Sequence, residues 1–268
     1  MAHLAVPGPF DLELTTERFR AFGIDNATVW HEGGLHRVVG GREVRIEAEP
    51  GGVSVEPLDD KIERVVHLVL GLDFDLERFY AWAADDAVLG PATRRLFGFR
   101  PTLAPDPFEM LVGAITAQQV SLFAAVAIRN RLIERFGRKV GNVWEFPSRS
   151  ALAGAEEGEL VAVGFSRRKA EYTVALARSE LDLDSLAALS DEAVKRAIVS
   201  QRGLGAWTAE WFLARHLARP HAWPLGDLAL RKAVADLYGG LDLEKARERF
   251  HPYENLSAHY LLLAHRHP

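Results

Sequence analysis

A Gly-Leu-Gly turn between two helical patterns constrains this chain more than any other feature. The turn consists of Gly203, Leu204 and Gly205, and it lies within residues 191–217, where the second helical pattern starts at Ala206. Glycine at both turn positions lets the backbone pass close to another chain, while Leu204 can be buried between the helices. The N-terminus of the second helix offers free backbone N–H groups and a positive dipole end, which suit a phosphate. The segment therefore predicts a helix-hairpin-helix.

Carbonyl groups at the end of the preceding helix add a candidate ion site. Those of Val199, Gln201 and Leu204 are placed to hold a monovalent cation, sodium or potassium, that a bound phosphate would share. For a Gly-x-Gly turn taken alone, the alternative is an ordinary tight connection between two helices.

An aspartate follows the second helix. Asp227 stands between Gly226 and Leu228, at the start of another helical pattern, so it is a candidate N-cap. That ordinary role is compatible with a chemical one, because the positive end of the helix dipole favours an ionised carboxylate. Cleavage of an N-glycosidic bond needs such a group, since positive charge grows on the deoxyribose as the base departs.

Charge limits how the chain can contact DNA. The net charge is −5, which repels a polyanion at long range, so any contact must come from local cations. Candidates are Arg167, Arg168 and Lys169, then Arg202, and the pair at 231–232. The alternative for each cluster is a solvated helix face.

Composition excludes several other classes of protein. The 268 residues include no cysteine, so disulfides, thiolate-held zinc and iron–sulfur clusters are excluded. There is no run of about 18 apolar residues of the kind that spans a bilayer, and no signal peptide. We expect a soluble protein without a membrane association, located in the cytoplasm with the nucleoid.

The chain divides into two predicted parts, which together give an α+β fold. Diglycines at 33–34, 40–41 and 51–52 separate alternating β-rich runs, and predict an antiparallel meander with one solvent-exposed face. Residues 1–72 form this N-terminal domain, and residues 73–268 form a helical core. In the N-terminal domain a further strand is predicted at 10–14, with helices at 17–22 and 60–70. In the core, helices are predicted at 76–84, 91–97, 107–118, 121–136, 157–163, 166–179, 191–201, 206–217, 228–238, 243–250 and 255–265.

These motifs together resemble the helix-hairpin-helix (HhH-GPD) DNA glycosylase superfamily, most closely its AlkA-type 3-methyladenine DNA glycosylase II branch. The hairpin motif 203–209 is followed by Asp227 at the family's spacing, and the N-terminal meander resembles the extra β domain of that branch. Supporting matches lie in the family's order at Pro107-Phe108-Glu109, Ala117-Gln118-Gln119-Val120-Ser121, 164–170 and Pro252-Tyr253.

The resemblance implies a role for particular residues. Asp227 would be the catalytic aspartate, and Trp207 stands where bifunctional relatives carry a lysine, so no AP-lyase activity is expected. Trp207 and Trp211 would line the pocket for an extruded base, although core packing is the ordinary reading of two aromatics one turn apart. Gln119 would be the wedge that fills the gap in the duplex, against the alternative of a surface glutamine. The implied DNA-binding residues are Gln119, Arg168, Arg202, Gly203, Leu204, Gly205 and Ala206, and the implied pocket residues are Trp207, Trp211, Leu228 and Leu262.

Several positions depart from the family pattern. Arg202 replaces the usual hairpin proline, Leu228 replaces a common aromatic, and Leu262 stands where a pocket tryptophan is expected. The pair Glu254-Asn255 replaces a typical Arg-Ser pair. We therefore expect a wider, less aromatic pocket that accepts bulkier lesions.

The predicted function is hydrolytic, monofunctional excision of alkylated bases such as 3-methyladenine and 7-methylguanine from double-stranded DNA, by a monomer that requires no cofactor. One alternative is a glycosylase of the same fold for uracil, hypoxanthine or an oxidised guanine. The other is a non-catalytic DNA-binding module, which is favoured if Asp227 is buried and satisfied by backbone N–H groups.

Overall fold

Five antiparallel strands form a sheet near the N-terminus. The computed structural model describes residues 2–267. The strand order is β1-β5-β4-β3-β2, and the hairpin glycines 33, 40 and 51 have positive φ of 81°, 58° and 80°, which glycine adopts without strain. The predicted meander is confirmed, with β1 as an additional edge strand. The strands are β1 (Ala2–Ala5), β2 (Thr28–His31), β3 (Gly34–Val39), β4 (Arg42–Glu49) and β5 (Gly52–Glu56).

The predicted strand at 10–14 is wrong. The segment instead begins helix α1 (Leu12–Thr16), and the Asp11 side chain accepts the Leu14 N–H at 2.8 Å. Two leucines two residues apart fit either a strand or a short helix, and the aspartate cap favours the helix. The helix predicted at 17–22 is only a 3₁₀ turn (Glu17–Phe19), whereas α2 (Asp60–Val69) is confirmed.

The sheet has less exposed surface than predicted. Both Leu35 and His36 of β3 are buried although they point to opposite faces. A hairpin of β6 (Arg138–Val140) and β7 (Val143–Glu145), which sequence patterns did not predict, packs its second strand on β3. The second face of the meander is therefore partly covered by the helical part of the chain.

Helices dominate the remainder of the chain, and the α+β class is confirmed. The predicted helices are present with ends shifted by a few residues, and α7 is an additional one. Ser121, Ser166 and Ser190 cap their helices through side-chain oxygens, as predicted. The helices are α3 (Leu76–Ala83), α4 (Leu89–Arg95), α5 (Pro107–Ala117), α6 (Leu122–Phe136), α7 (Arg149–Ala153), α8 (Glu157–Ala162), α9 (Arg167–Arg178), α10 (Asp191–Val199), α11 (Ala206–Arg215), α12 (Leu228–Leu237), α13 (Leu243–Arg249) and α14 (Glu254–Arg266).

The helices surround two hydrophobic cores. One core contains buried residues of α5, α6 and α7 to α11, including Trp211, and the other contains residues of α3, α4 and α12 to α14, including Leu230. Leu262 packs against both cores. The sheet has its own core between Leu4 and Leu72, and the domain boundary at 72 stays a prediction. No helix within residues 2–267 is long and apolar enough to cross a membrane.

A buried ion cluster joins the sheet to the helices. Glu109 on α5 is bonded by Arg37 of β3, and it accepts a hydrogen bond from Arg129 of α6 at 2.7 Å. Arg129 also reaches Asp25 at 3.1 Å. Burial would raise the pKa of Glu109, but the charges of Arg37 and Arg129 outweigh it and lower that pKa to about 2.

Candidate active site

Asp227 is the N-cap of α12 and is held by three N–H donors. Its Oδ1 accepts the backbone N–H of Leu230 at 2.8 Å. Its Oδ2 accepts the indole N–H groups of Trp207 at 2.8 Å and of Trp211 at 2.9 Å. These bonds fix the orientation of the carboxylate.

The carboxylate keeps room for one more partner. An ionised aspartate has about four acceptor sites, and the three bonds leave one of them free. Asp227 is only half-buried. The condition for the non-catalytic alternative, burial with satisfaction by backbone N–H groups, is therefore not met.

The two tryptophans lie one turn apart on α11. Trp207 is half-buried, while Trp211 is 4% exposed and belongs to the first core. The guanidinium of Arg215 lies 3.9 Å from the centre of the Trp211 ring, and the His259 ring meets Trp211 edge-on at 5.7 Å. Trp211 thus packs in the core and also positions Asp227 through its N–H.

The hairpin between α10 and α11 has the predicted form. Gly203 has φ of 82°, and a Cβ there would overlap the ring of Tyr172. Leu204 is 4% exposed, as predicted. A Cβ at Gly205 would meet no atom within 4 Å, so the backbone at Gly205 is open on the side where a Cβ would project.

The predicted wedge lies beside this hairpin. The side-chain amide of Gln118 donates to the Gly203 carbonyl at 2.9 Å, which joins two segments that are distant in sequence. Gln119 is exposed and has φ of 54°, an unusual value for a residue other than glycine. The next residues include exposed apolar side chains, Leu122 at 49% and Phe123 at 64%.

The sequence matches the model of a known protein family. The family model described as "HhH-GPD superfamily base excision DNA repair protein" matches residues 112–254, more than half of the chain. The chain belongs to the HhH-GPD superfamily. The resemblance inferred from the motifs is therefore confirmed.

The chain is also similar to individual proteins. The "3-methyladenine dna-glycosylase from Archaeoglobus fulgidus" has a structure with a TM-score of 0.89 and 29% identity, covering 99% of this chain and 98% of that one. The Bacillus subtilis "DNA-3-methyladenine glycosylase" is 30% identical over 65% of this chain and 60% of its own length. The Mycobacterium tuberculosis "Probable bifunctional transcriptional activator/DNA repair enzyme AlkA" is 28% identical over 99% of this chain. That match spans 57% of the relative, so this chain corresponds to little more than half the length of these two curated relatives.

Most of the cations predicted to contact DNA are exposed within this HhH-GPD fold, but Arg202 and Lys232 are already paired with carboxylates. Arg168 is exposed at the start of α9. Arg202 is also exposed, and its guanidinium lies 2.7 Å from a carboxylate oxygen of Glu171. Lys169 donates to the Thr116 carbonyl at 2.9 Å and is therefore turned towards the fold.

The two leucines assigned to the pocket have different surroundings. Leu228 is 76% exposed at the first position of α12, directly after Asp227. Leu262 is partly buried between the two cores. Their roles in a pocket stay predictions.

The sequence patterns did not predict that Arg215 and Arg18 lie near Asp227. Burial lowers the pKa of Arg215 to about 9, with a further lowering by Arg18 and a partial compensation by Asp227. Burial also lowers the pKa of His259 far below its ordinary value, so this imidazole is neutral at pH 7. Within residues 2–267, Arg215 Nε and His259 Nε2 have no hydrogen-bond partner.

A sequence pattern could have indicated one of these side chains, Arg215. Arg215 continues the stripe of Trp207 and Trp211 at the same spacing of four residues along α11. His259 and Arg18 had none, because they come from segments far away in the sequence.

Proposed function

We propose that this protein is a monofunctional DNA glycosylase that hydrolyses the N-glycosidic bond of alkylated bases in double-stranded DNA during base excision repair. The observation that carries the proposal is the Asp227 carboxylate, which two indole N–H groups and the start of α12 hold in place. The similarity to the A. fulgidus 3-methyladenine glycosylase over 99% of the chain supports the same reaction and substrate class.

The proposed chemistry needs one negative charge. As the bond from the base to the sugar breaks, positive charge develops on the deoxyribose, and the fixed Asp227 carboxylate stabilises it. Alkylation at a ring nitrogen makes the base a good leaving group, so no strong general acid is required. Water then adds to the sugar. Trp207 has no amine that could attack the sugar instead, so strand cleavage is not expected, and borohydride should trap no covalent adduct.

The hairpin would hold the DNA strand. Gly203, Leu204, Gly205 and Ala206 would present backbone N–H groups to a phosphate, with Gln119 entering the duplex. Carbonyl oxygens of Val199, Gln201 and Leu204 suit sodium or potassium, which prefer oxygen ligands. The Gln201 carbonyl accepts the Leu204 N–H at 3.1 Å and retains a second lone pair for such an ion. The reaction requires no other cofactor.

The charges of Arg215 and Arg18 oppose one part of the proposal. They disfavour a cationic base in the pocket and favour a neutral one, although Asp227 offsets part of this effect. A panel of oligonucleotides must therefore include neutral lesions beside 3-methyladenine and 7-methylguanine. Greater activity on uracil, hypoxanthine or oxidised guanine would change the proposed substrate class, but the proposed reaction, hydrolysis of the N-glycosidic bond, would stand.

The decisive experiment is Asp227→Asn, tested on methylated duplex DNA in single turnover. Loss of the charge should reduce excision by more than about 10³-fold while binding to undamaged duplex remains. Asp242→Asn is a matched control, because Asp242 is an exposed N-cap of α13. Excision that survives in Asp227→Asn would disprove the assignment.

We also propose that the protein acts as a monomer in the cytoplasm, on nucleoid DNA.

A further inference from the structure

Two histidines and a glutamate converge where α14 begins. The Nδ1 atom of His221 lies 3.1 Å from Glu254 Oε2, and the Nδ1 atom of His251 lies 3.1 Å from Glu254 Oε1. The two imidazoles stack with their centres 5.1 Å apart and their planes at 20°. One potential ligand atom from each residue lies within 4.8 Å of the other two. The arrangement brings two nitrogens and one carboxylate oxygen to one point on the surface.

The glutamate is the unusual member of this cluster. Glu254 is 4% exposed, and no Lys or Arg within residues 2–267 forms an ion pair with it. A buried carboxylate without a full opposing charge is costly. The two imidazole nitrogens lie within hydrogen-bond distance of this carboxylate, and a divalent cation bound between the three groups would supply a full positive charge.

We propose that His221, His251 and Glu254 bind a divalent transition-metal ion, with Zn²⁺ as the expected ion. Two imidazole nitrogens and one carboxylate oxygen form a ligand set that Zn²⁺ accepts, with water in a fourth position. Mg²⁺ and Ca²⁺ prefer oxygen ligands and should bind weakly. Metal binding at each Nδ1 requires the imidazole proton to lie on Nε2, and because protons compete with the metal for the same nitrogens, binding weakens as the pH falls.

The site would act as a clamp near Asp227 and not as part of the reaction. His221 lies in the segment that runs from α11 to Asp227. The neighbouring Asn255 already ties this segment to α14, since its backbone N–H donates to the Pro220 carbonyl at 3.0 Å and its side-chain amide donates to the Arg219 carbonyl at 3.0 Å. A metal would add a stronger link at the same place. This inference does not depend on the proposed glycosylase activity.

Metal titration of the full chain, tag-free and treated with a chelator, tests the proposal. One Zn²⁺ should bind per chain, and Co²⁺ should give the visible absorption of a site with nitrogen and oxygen ligands. A Zn²⁺ concentration about one hundred times Kd should raise Tm by about 5–10 °C, and chelator should reverse the rise. His221→Ala and His251→Ala should each weaken binding at least about tenfold.

Controls separate this site from adventitious binding. His221 and His251 have exposed side chains, at 48% and 65%, so their variants should fold. His265→Ala is the matched control, because His265 pairs with one carboxylate, that of Asp236, outside the cluster, and it should bind as the wild type does. A crystal grown with Zn²⁺ should show its anomalous signal between these three side chains. Absence of Zn²⁺ binding, or unchanged binding in the double variant His221→Ala/His251→Ala, would overturn the proposal.

Discussion

A single oxygen atom of Asp227 accepts both indole N–H groups of α11. The tryptophans therefore contribute donors as well as apolar surface, and the spacing of four residues is what lets both reach one atom. The indole N–H groups hold Oδ2, whereas Oδ1 accepts the Leu230 N–H as the helix cap. Neighbouring hydrogen-bond donors of this kind hold a charged group within a fraction of an ångström of one position.

Removal of one donor should separate positioning from packing. Trp207→Phe keeps an aromatic ring but deletes the N–H, so the carboxylate loses one of three hydrogen bonds. We expect single-turnover excision of methylated DNA to fall about tenfold, as befits a hydrogen bond to a charged group. DNA affinity, measured by fluorescence anisotropy, should change little. Trp144→Phe on β7 is the control, and an equal loss there would refute the positioning role.

At the scale of the element, the two hairpin glycines have different surroundings and backbone conformations. Gly203 has positive φ and abuts Tyr172 of α9, so the fold itself requires the absence of a side chain. Gly205 has an ordinary extended backbone and free space around it. No contact within the described residues requires the second glycine, and its role against a DNA backbone stays a prediction.

This difference predicts opposite outcomes for two alanine variants. Gly203→Ala should lower Tm by about 5 °C or more, because strain at positive φ and overlap with Tyr172 each cost about 1–2 kcal/mol. Gly205→Ala should leave Tm unchanged but weaken binding to undamaged duplex DNA, since the new Cβ occupies the approach to the phosphate. Thermal melts and anisotropy measure the two effects. A stable Gly203→Ala, or full DNA affinity in Gly205→Ala, would contradict this account of the hairpin.

At the scale of the whole molecule, the sheet and the helices are held together by charge as well as by apolar packing. The cluster of Arg37, Glu109, Arg129 and Asp25 draws on strand β3, the loop before β2 and helices α5 and α6. Within it Glu109 faces two arginines, so removing the glutamate would leave the buried Arg37 without its carboxylate partner and Arg129 with Asp25 alone.

Acid should weaken this ion cluster by protonating Glu109. Glu109 has a pKa lowered from 4.5 to about 2 in the folded protein, so its stabilising effect is complete above pH 4.5 and is lost as the pH falls towards 2. The loss amounts to ~3 kcal/mol in the free energy of unfolding. About 2 kcal/mol of this loss should occur between pH 6 and pH 3, where urea midpoints can measure it.

A matched pair of variants isolates that contribution. Glu109→Gln should cost about 3–5 kcal/mol at pH 7 and flatten the acid dependence. Glu159→Gln removes a carboxylate whose pKa is also lowered but which is only partly buried on α8, and it should change little. Acid dependence of Glu109→Gln that matches the wild type would show that this cluster does not couple the two parts.

Sequence patterns predicted the structure best where one short segment contains the whole cause. Asp227 and Ser166 cap their helices through bonds to residues three positions later, and the diglycines form hairpins because of their own φ angles. The prediction failed at 10–14, where two leucines fit both periods. It also omitted the β6–β7 hairpin, whose strands are only three residues long and which packs on a distant strand.

The sequence by itself determined the helix-hairpin-helix, the cap at Asp227 and the α+β class, because backbone conformation, capping and hydrophobic period act over a few residues. Only the tertiary structure decided that the indole N–H groups of α11 meet one oxygen of Asp227, and that Arg18 and His259 approach Arg215. It also brought His221 to Glu254 of α14. Such contacts join residues that packing of whole helices and sheets brings together, and no local pattern encodes that packing.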